Sequence, residues 1–339
     1  MMPPVHTAEE LARRPLGPLE RAQRALHASP AIAPALVLLL AIAAFAMVHP
    51  RFASPTSLSL VLQQVAVIAA LAAGQTLVVL TAGIDLSVGA ITILSMMVMA
   101  TLAADQGVPA PFALAAGILL GVVAGTLNGL LVAKAKLPPF IATLGMLGVF
   151  TALGLLYSQG QSIPESRLPP LLNQMGATFP VGPFRITLGV LLVLVLYAVL
   201  SFALSQTAWG THVYAVGDDA EAARLAGIRV NAVLVGVYAL AGLIDGLAAW
   251  VLIGRAGAAS PNAIAEANLE SITAVVIGGV SLFGGRGSLV GALLGALTVG
   301  VLRSGLSFAR VDDQYRVMAV GLLVILAVAI DQWIRKVRG

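Results

Sequence analysis

Long apolar runs separated by short polar stretches fill most of this chain. The runs fall near 31–49, 58–80, 86–104, 112–132, 139–158, 186–205, 231–253, 271–284, 288–305 and 317–334. A helix rising 1.5 Å per residue needs roughly 20 apolar residues to cross about 30 Å of hydrocarbon. Most of the runs meet that length, and they are too continuous for the short alternating strands of a barrel. The pattern predicts an all-α polytopic membrane protein of about ten transmembrane helices. Its membrane domain covers 31–335 and follows a polar tail, 1–30. The run at 271–284 is short and predicts a half-helix that stops inside the membrane. The first run lacks a following cleavage-site pattern and reads as a retained span.

Two places break the pattern. In GQTLVVLTAGIDLSVGA, residues 74–90, an apolar run meets the lone carboxylate of Asp85 and then resumes. A carboxylate at the centre of a bilayer costs roughly 2.5–3.5 kcal/mol on insertion scales, so such a residue marks a cavity or pathway by default. The flanking Gly83 and Gly89 are expected to free the backbone there. Asp85 has two readings: the N-cap of the next helix, or an acceptor facing a polar solute. The second break is GGVSLFGGRGS, 278–288. It lacks the lysine and the spacing of a phosphate-binding loop. Gly-interrupted spans in both halves of a transporter point to its path. An inverted repeat of 58–158 against 231–334 is the corresponding expectation. Gln75, Asn128, Thr143 and Asp245 are the other polar groups in or bordering spans. For Asp245, a helix–helix hydrogen bond, a protonated acid and a path residue all stay open. Gly117, Gly121, Gly125 and Gly129 repeat every fourth residue, as do Gly287, Gly291 and Gly295, and both rows predict close helix packing.

Two connections are long. Residues 159–185 carry five prolines. Residues 206–230 include YAVGDDAEAARLAGIRV, 214–230. Asp218 and Glu221 are spaced as a capping box with the acid in place of Ser or Thr. Gly227 is a natural helix stop. A two-turn helix capped at both ends is predicted outside the membrane. It is either a plain connector or a peg for a partner's groove.

Composition narrows the choices. The chain is 59% hydrophobic and 10% charged, far below the roughly 25% charged residues of soluble domains. It has no cysteine, which excludes disulfides and thiolate chemistry. No H-E-x-x-H pattern supports a membrane metalloprotease. With the N-terminus inside, the inner segments hold twelve of the 19 basic residues, among them Arg13, Arg14, Lys134, Lys136, Arg224 and Arg335. That bias puts both termini in the cytoplasm, 206–230 inside and 159–185 outside. The net charge of +4 is explained by these flanks and needs no nucleic-acid partner.

Four segments carry a family resemblance: GIDLSVG (83–89), NGLLVAKAKLPPFIATLG (128–145), AVGDDAEAARLAGI (215–228) and AVVIGGVSLFGGRGSLVGALLGAL (274–297). In this order they resemble the ribose-type permeases of bacterial carbohydrate ATP-binding-cassette importers. Glu221-Ala222-Ala223 followed by Gly227 is similar to the glutamate-alanine-alanine loop of such permeases. The wording of 214–230 and of GRAGAASPNA (254–263) looks closest to members handling fructose, with ribose and mannose as related sugars. The resemblance implies a transport subunit of the cell inner membrane with no catalytic site, cofactor or metal. It implies a cytoplasmic ATPase docked on Gly217, Asp218, Glu221, Ala222, Ala223 and Gly227, and a periplasmic sugar-binding protein on the outer loops. It also implies a second permease copy, identical or closely related, around the path. Gln75, Asp85, Asn128, Thr143 and Asp245 are the candidate path residues. The rival reading is a self-sufficient, proton-coupled secondary transporter, for which Asp85 and Asp245 would be the titrating acids.

Overall fold

The computed structural model describes residues 31–264 and 266–336, without the side chains of 324 and 326–336. The expectation for the polar tail falls outside these residues. Helices form on all ten apolar runs: α1 (Ile32–Val48), α2 (Pro55–Leu80), α3 (Val88–Ala104), α4 (Ala110–Ala133), α5 (Pro139–Ser158), α6 (Leu188–Gln206), then, past two short helices described below, α9 (Val230–Ala256), α10 (Ala267–Ile277), α11 (Leu289–Phe308) and α12 (Asp313–Lys336). The starts follow local chemistry. Ser54, Thr187 and Ser288 each accept a backbone N–H from the first turn of α2, α6 and α11. Pro55 and Pro139 occupy first-turn positions, where proline has no donor to lose.

Six of these helices, α2, α4, α5, α6, α9 and α11, are long and apolar enough to cross a membrane. α1 and α3 are apolar but have 17 residues each. α10 has 11, about 16 Å of rise, and matches the half-helix expected there, although it begins at Ala267 rather than 271. Leu39, Leu40, Phe112, Leu119 and Phe202 face outward from the bundle and suit contact with lipid tails.

α9 is the central helix. It packs on α2, α3 and α4 and buries Tyr238, Ile244 and Leu252. Three glycines of the α4 row, Gly121, Gly125 and Gly129, lie directly against it, while Gly117 packs on Ser95 and Met99 of α3. A Cβ on Gly121 would run into the Gly242 carbonyl, one on Gly125 into the Tyr238 carbonyl, and one on Gly129 into Val235 Cα. Gly291 and Gly295 of α11 meet the Gly278 and Ala274 carbonyls in the same way. Both stretches bring backbones together as expected, but the second row is shorter than its spacing predicted: Gly287 precedes α11, at φ +141°, and only Gly291 and Gly295 share the helix.

Two expectations need correction. The span-forming segments are helical throughout, but 159–185 is not plain loop. It forms β1 (Ile163–Pro164), a turn at Pro170–Asn173, and a hairpin of β2 (Thr178–Val181) with β3 (Phe184–Thr187); β1 pairs antiparallel with β4 (Ala258–Ala259) just beyond α9. A strand pair of two residues carries no readable alternation, so the sequence hid it. The Trp250 indole donates to the Leu171 carbonyl at 3.0 Å and ties this cover to α9. Residues 206–230 are also more helical than expected. α7 (Ala208–Asp218) precedes α8 (Ala220–Leu225).

Candidate functional site

The first break lies near one end of the bundle and not at its middle. Asn128 is five residues before the end of α4, Gln75 five before the end of α2, and Thr143 four after the start of α5. Each is therefore roughly 6–8 Å from its helix end. The turn itself comes from Ala82, in the left-handed region at φ +59°. Gly83 and Gly89, expected to supply that freedom, do not adopt such angles; they are small for another reason. A Cβ on Gly83 would press on the Tyr238 hydroxyl, and one on Gly89 on Asn268 Oδ1, each at 2.8 Å.

Unwound backbone at membrane depth must find hydrogen-bond partners inside the protein. Here the polar side chains predicted for the path supply them. The Gln75 amide, in the orientation its partners dictate, donates to the Asp85 carbonyl at 3.1 Å and accepts the Asp85 N–H at 3.3 Å. Thr143 Oγ1 accepts the Leu86 N–H at 3.1 Å, and its proton has the Ile84 and Pro139 carbonyls within 3.0 Å. Gly83 donates to the Val78 carbonyl at 3.0 Å. Asp85 Oδ1 accepts the Ser87 N–H at 2.7 Å and the Ser87 hydroxyl at 2.6 Å. Asn128 Nδ2 donates to Ser87 Oγ at 2.7 Å and to Asp85 Oδ2 at 3.3 Å. Asp85 is thus not the N-cap of α3. Ser87 holds that position, and Asp85 fixes the turn before it.

Gln75, Asp85, Asn128 and Thr143 form one network, and all are at most 1% exposed. Asp245 stands apart. It is fully buried on α9, and neither carboxylate oxygen has a hydrogen-bond partner among the described residues. The helix–helix hydrogen bond left open for it is not formed.

The second break touches the first. Gly285 donates to the Leu80 carbonyl at 3.0 Å. The end of α7 closes on both. A Cβ on Gly217 would collide with the Leu80 carbonyl and crowd the Gly285 nitrogen, and Gly285 itself lies against Asp218. The Tyr214 hydroxyl donates to the Gly287 carbonyl at 3.0 Å. Elsewhere the Gly89 N–H donates to Asn268 Oδ1 at 2.8 Å, joining α3 to α10. Leu80, Ser87, Asn268 and Gly285 were not singled out from sequence. Leu80 and Gly285 act through backbone atoms, which leave no compositional mark, and Ser87 and Asn268 act through side chains whose partners are distant in sequence or local to the turn.

α8 projects from this junction. Its cap is Asp219, not Asp218: Asp219 Oδ1 accepts the N–H of Glu221 at 2.9 Å and of Ala222 at 3.0 Å. Asp218 is already spent as the last residue of α7, so the cap shifts by one and the predicted capping box does not form, since Ala222 now holds the position that Glu221 would need. Glu221 instead pairs with Arg224 at 2.5 Å on the exposed face. The C-terminal stop is as predicted. Gly227 takes φ +86°, and the N–H groups of Gly227 and Ile228 return to the Arg224 and Ala223 carbonyls at 3.0 Å each. Ala223 is buried against the bundle, while Glu221, Ala222, Arg224 and Gly227 are exposed, and Leu225 is 83% exposed. Beside α8 a groove of about 640 Å³ is lined by Leu130, Lys134, Arg224, Ile228, Arg229 and Val235.

The chain can thus present a short rigid helix whose base bears on both interruptions of its spans. Comparison with known proteins gives this geometry a setting. The family model described as branched-chain amino acid transport system / permease component matches residues 57–328. The chain is 49% identical to the fructose import permease protein of Rhizobium meliloti over 323 residues, which is 94% of this chain and 90% of that protein. It is 36% identical to the ribose import permease protein of Bacillus subtilis (strain 168) over 301 residues, 89% of this chain and 92% of the relative. It is also 34% identical to the autoinducer 2 import system permease protein of Escherichia coli (strain K12 / DH10B) over 301 residues, 89% and 86% of the two chains. No solved structure matches.

Proposed function

The chain belongs to the branched-chain amino acid transport system / permease component family, and from that premise we propose that it is the membrane-spanning permease subunit of an ATP-driven sugar importer. It is a multi-pass membrane protein and a transport subunit; ATP hydrolysis belongs to a separate partner. The transported solute is a monosaccharide of the fructose, ribose or mannose kind. The names of the relatives at 49% and 36% identity support that class.

The observation that carries the coupling role is the seat of α8. It is exposed, capped at both ends and rooted through Gly217 on Leu80 and Gly285. A cytoplasmic ATPase gripping the exposed Asp218, Glu221, Ala222 and Gly227, with Gly217 and Ala223 buried beneath them as the seat, would push on both breaks at once. The basic groove at Lys134, Arg224 and Arg229 widens that docking surface. On this reading α8 marks the cytoplasmic end. The chain makes about ten crossings with both termini inside, in the inner membrane of a bacterium, α10 and the 278–288 break together making one of them, and the two breaks are counterparts in an inverted repeat. A periplasmic sugar-binding protein docks on the far side, over 159–185, and two copies of the chain enclose the path. Gln75, Asp85, Asn128 and Thr143 frame the inner gate by holding the unwound backbone in place, and Asp245 lies apart from them along α9.

The test replaces Glu221 and Gly227. Glu221→Lys and Gly227→Val should abolish both ATPase co-purification and sugar uptake while the protein still accumulates in the membrane. Undiminished ATPase binding and uptake in both variants would remove α8 from the coupling role.

A further inference from the structure

At the end of the bundle opposite α8, the helices part around a cavity of about 430 Å³. That is within the roughly 300–1,000 Å³ of small-molecule sites. Its wall includes Gln64 of α2, Glu266, Glu270 of α10, and Arg303 and Ser304 of α11. Gln64 lies 16 residues before Leu80, about 24 Å along α2, and Arg303 lies 14 residues beyond Leu289, about 21 Å along α11. The cavity is therefore well separated from the junction with α7.

The charges in it are balanced. Arg303 bonds Glu266 at 2.8 Å and also pairs with Glu270, whose side chain is 5% exposed. The lining itself holds three cations, Arg255, Arg303 and Arg316, and two carboxylates; Asp313, outside the lining, pairs with Arg316 at 3.2 Å and is the third carboxylate that levels the count. Such a balanced wall gives a net-charged solute little advantage. It offers carboxylates that accept, guanidinium groups that donate, and an amide and hydroxyls that do both. Gln64 and Ser304 bond each other across the cavity at 3.1 Å. A solute rich in hydroxyls can exchange these internal bonds for its own at nearly balanced cost, because each protein pair released regains a partner. Val61, Val65 and Val299 give the remaining wall an apolar surface for C–H groups. Binding on these terms is modest, as a path that must also release its solute requires.

We propose that this cavity is a sugar-binding subsite of the permease itself, where a neutral monosaccharide is held by Gln64, Glu266, Arg303 and Ser304 before it crosses. The assignment rests on the reading of the chain as a sugar permease.

The absence of cysteine makes a direct test simple. Ser57→Cys and Ser307→Cys place a thiol at the cavity, and Ser205→Cys, exposed at the far end of α6, serves as a control. Each variant, in the complex with its ATPase and binding protein, is labelled with a water-soluble methanethiosulfonate. Labelling is repeated with fructose, ribose, mannose or leucine at concentrations that saturate wild-type uptake or exceed them. The sugar that the complex takes up should slow labelling at 57 and 307 several-fold and leave 205 unchanged. In parallel, Gln64→Leu should raise the sugar concentration for half-maximal uptake about tenfold, the usual scale for one lost polar contact. Sugar uptake by the wild-type complex with no protection of either thiol overturns the cavity assignment and leaves the functional reading standing. Protection by leucine and by none of the sugars also overturns it. Failure of the wild-type complex to take up any of the three sugars counts against the functional reading itself.

Discussion

Asp85 bonds Ser87 twice and Asn128 once, so its replacements separate loss of charge from loss of an acceptor. Asp85→Asn keeps one acceptor oxygen for the Ser87 N–H and should lower stability by only about 1 kcal/mol. Asp85→Ala strands the Ser87 N–H in a buried turn and should cost roughly 1–3 kcal/mol more. Thermal unfolding in detergent checks both, and equal losses would mean that the Asp85 acceptor does not hold the turn. Thr143→Val, close in shape, should behave like the alanine variant because the Leu86 N–H loses its acceptor. The residue types of this network were all visible in the sequence, but their work was not. A polar residue in an apolar run signals either a path or a satisfied backbone. Only the distances from Gln75 to Asp85 and from Thr143 to Leu86 show that the backbone is what these side chains serve here. Gly83 and Gly89 carry the same lesson. Each is required by what packs against it, Tyr238 and Asn268, and not by its own backbone angles.

Among the elements, α7 and α8 hold the sharpest expectations. Asp219→Ala removes the acceptor for two N–H groups and should cost about 1 kcal/mol, enough to fray a six-residue helix that is marginal alone. Asp219→Ser should restore uptake to near the wild-type rate, and a serine variant as impaired as alanine would contradict the cap. Gly217→Ala pushes a methyl into the Leu80 carbonyl and should force α7 off the break. The ATPase should still co-purify with this variant, while sugar moved per ATP hydrolysed falls sharply. Normal stoichiometry would show that the contact does not transmit force. The helices were legible because apolar runs of about 20 residues have one structural solution in lipid. The one-residue shift of the cap was not, because Asp218 and Asp219 are chemically identical and only the length of α7 decides between them. The β1–β4 pair was illegible for a different reason: two residues bonded to two others nearly a hundred positions away leave no local period.

At the scale of the molecule, three features lie along one line: an exposed capped helix at one end, two touching span breaks beside it, and a charge-balanced cavity at the other end. This order suits a gate driven from outside itself. A proton-coupled carrier needs a titrating acid on the solute's route. Asp85 is enclosed by Ser87 and Asn128, Asp245 is buried on the central helix away from the cavity, and the acids that do line the cavity, Glu266 and Glu270, are both paired with Arg303. Asp245→Asn removes a titratable acid without removing a hydrogen bond and should leave ATP-driven uptake largely intact, whereas a proton-coupled carrier using this acid would lose transport. The most direct measurement is sugar uptake into proteoliposomes holding the permease and its binding protein, with the ATPase subunit present or omitted. The account expects accumulation only with the ATPase and ATP, and none from an imposed proton gradient. Accumulation driven by that gradient without the ATPase would contradict it.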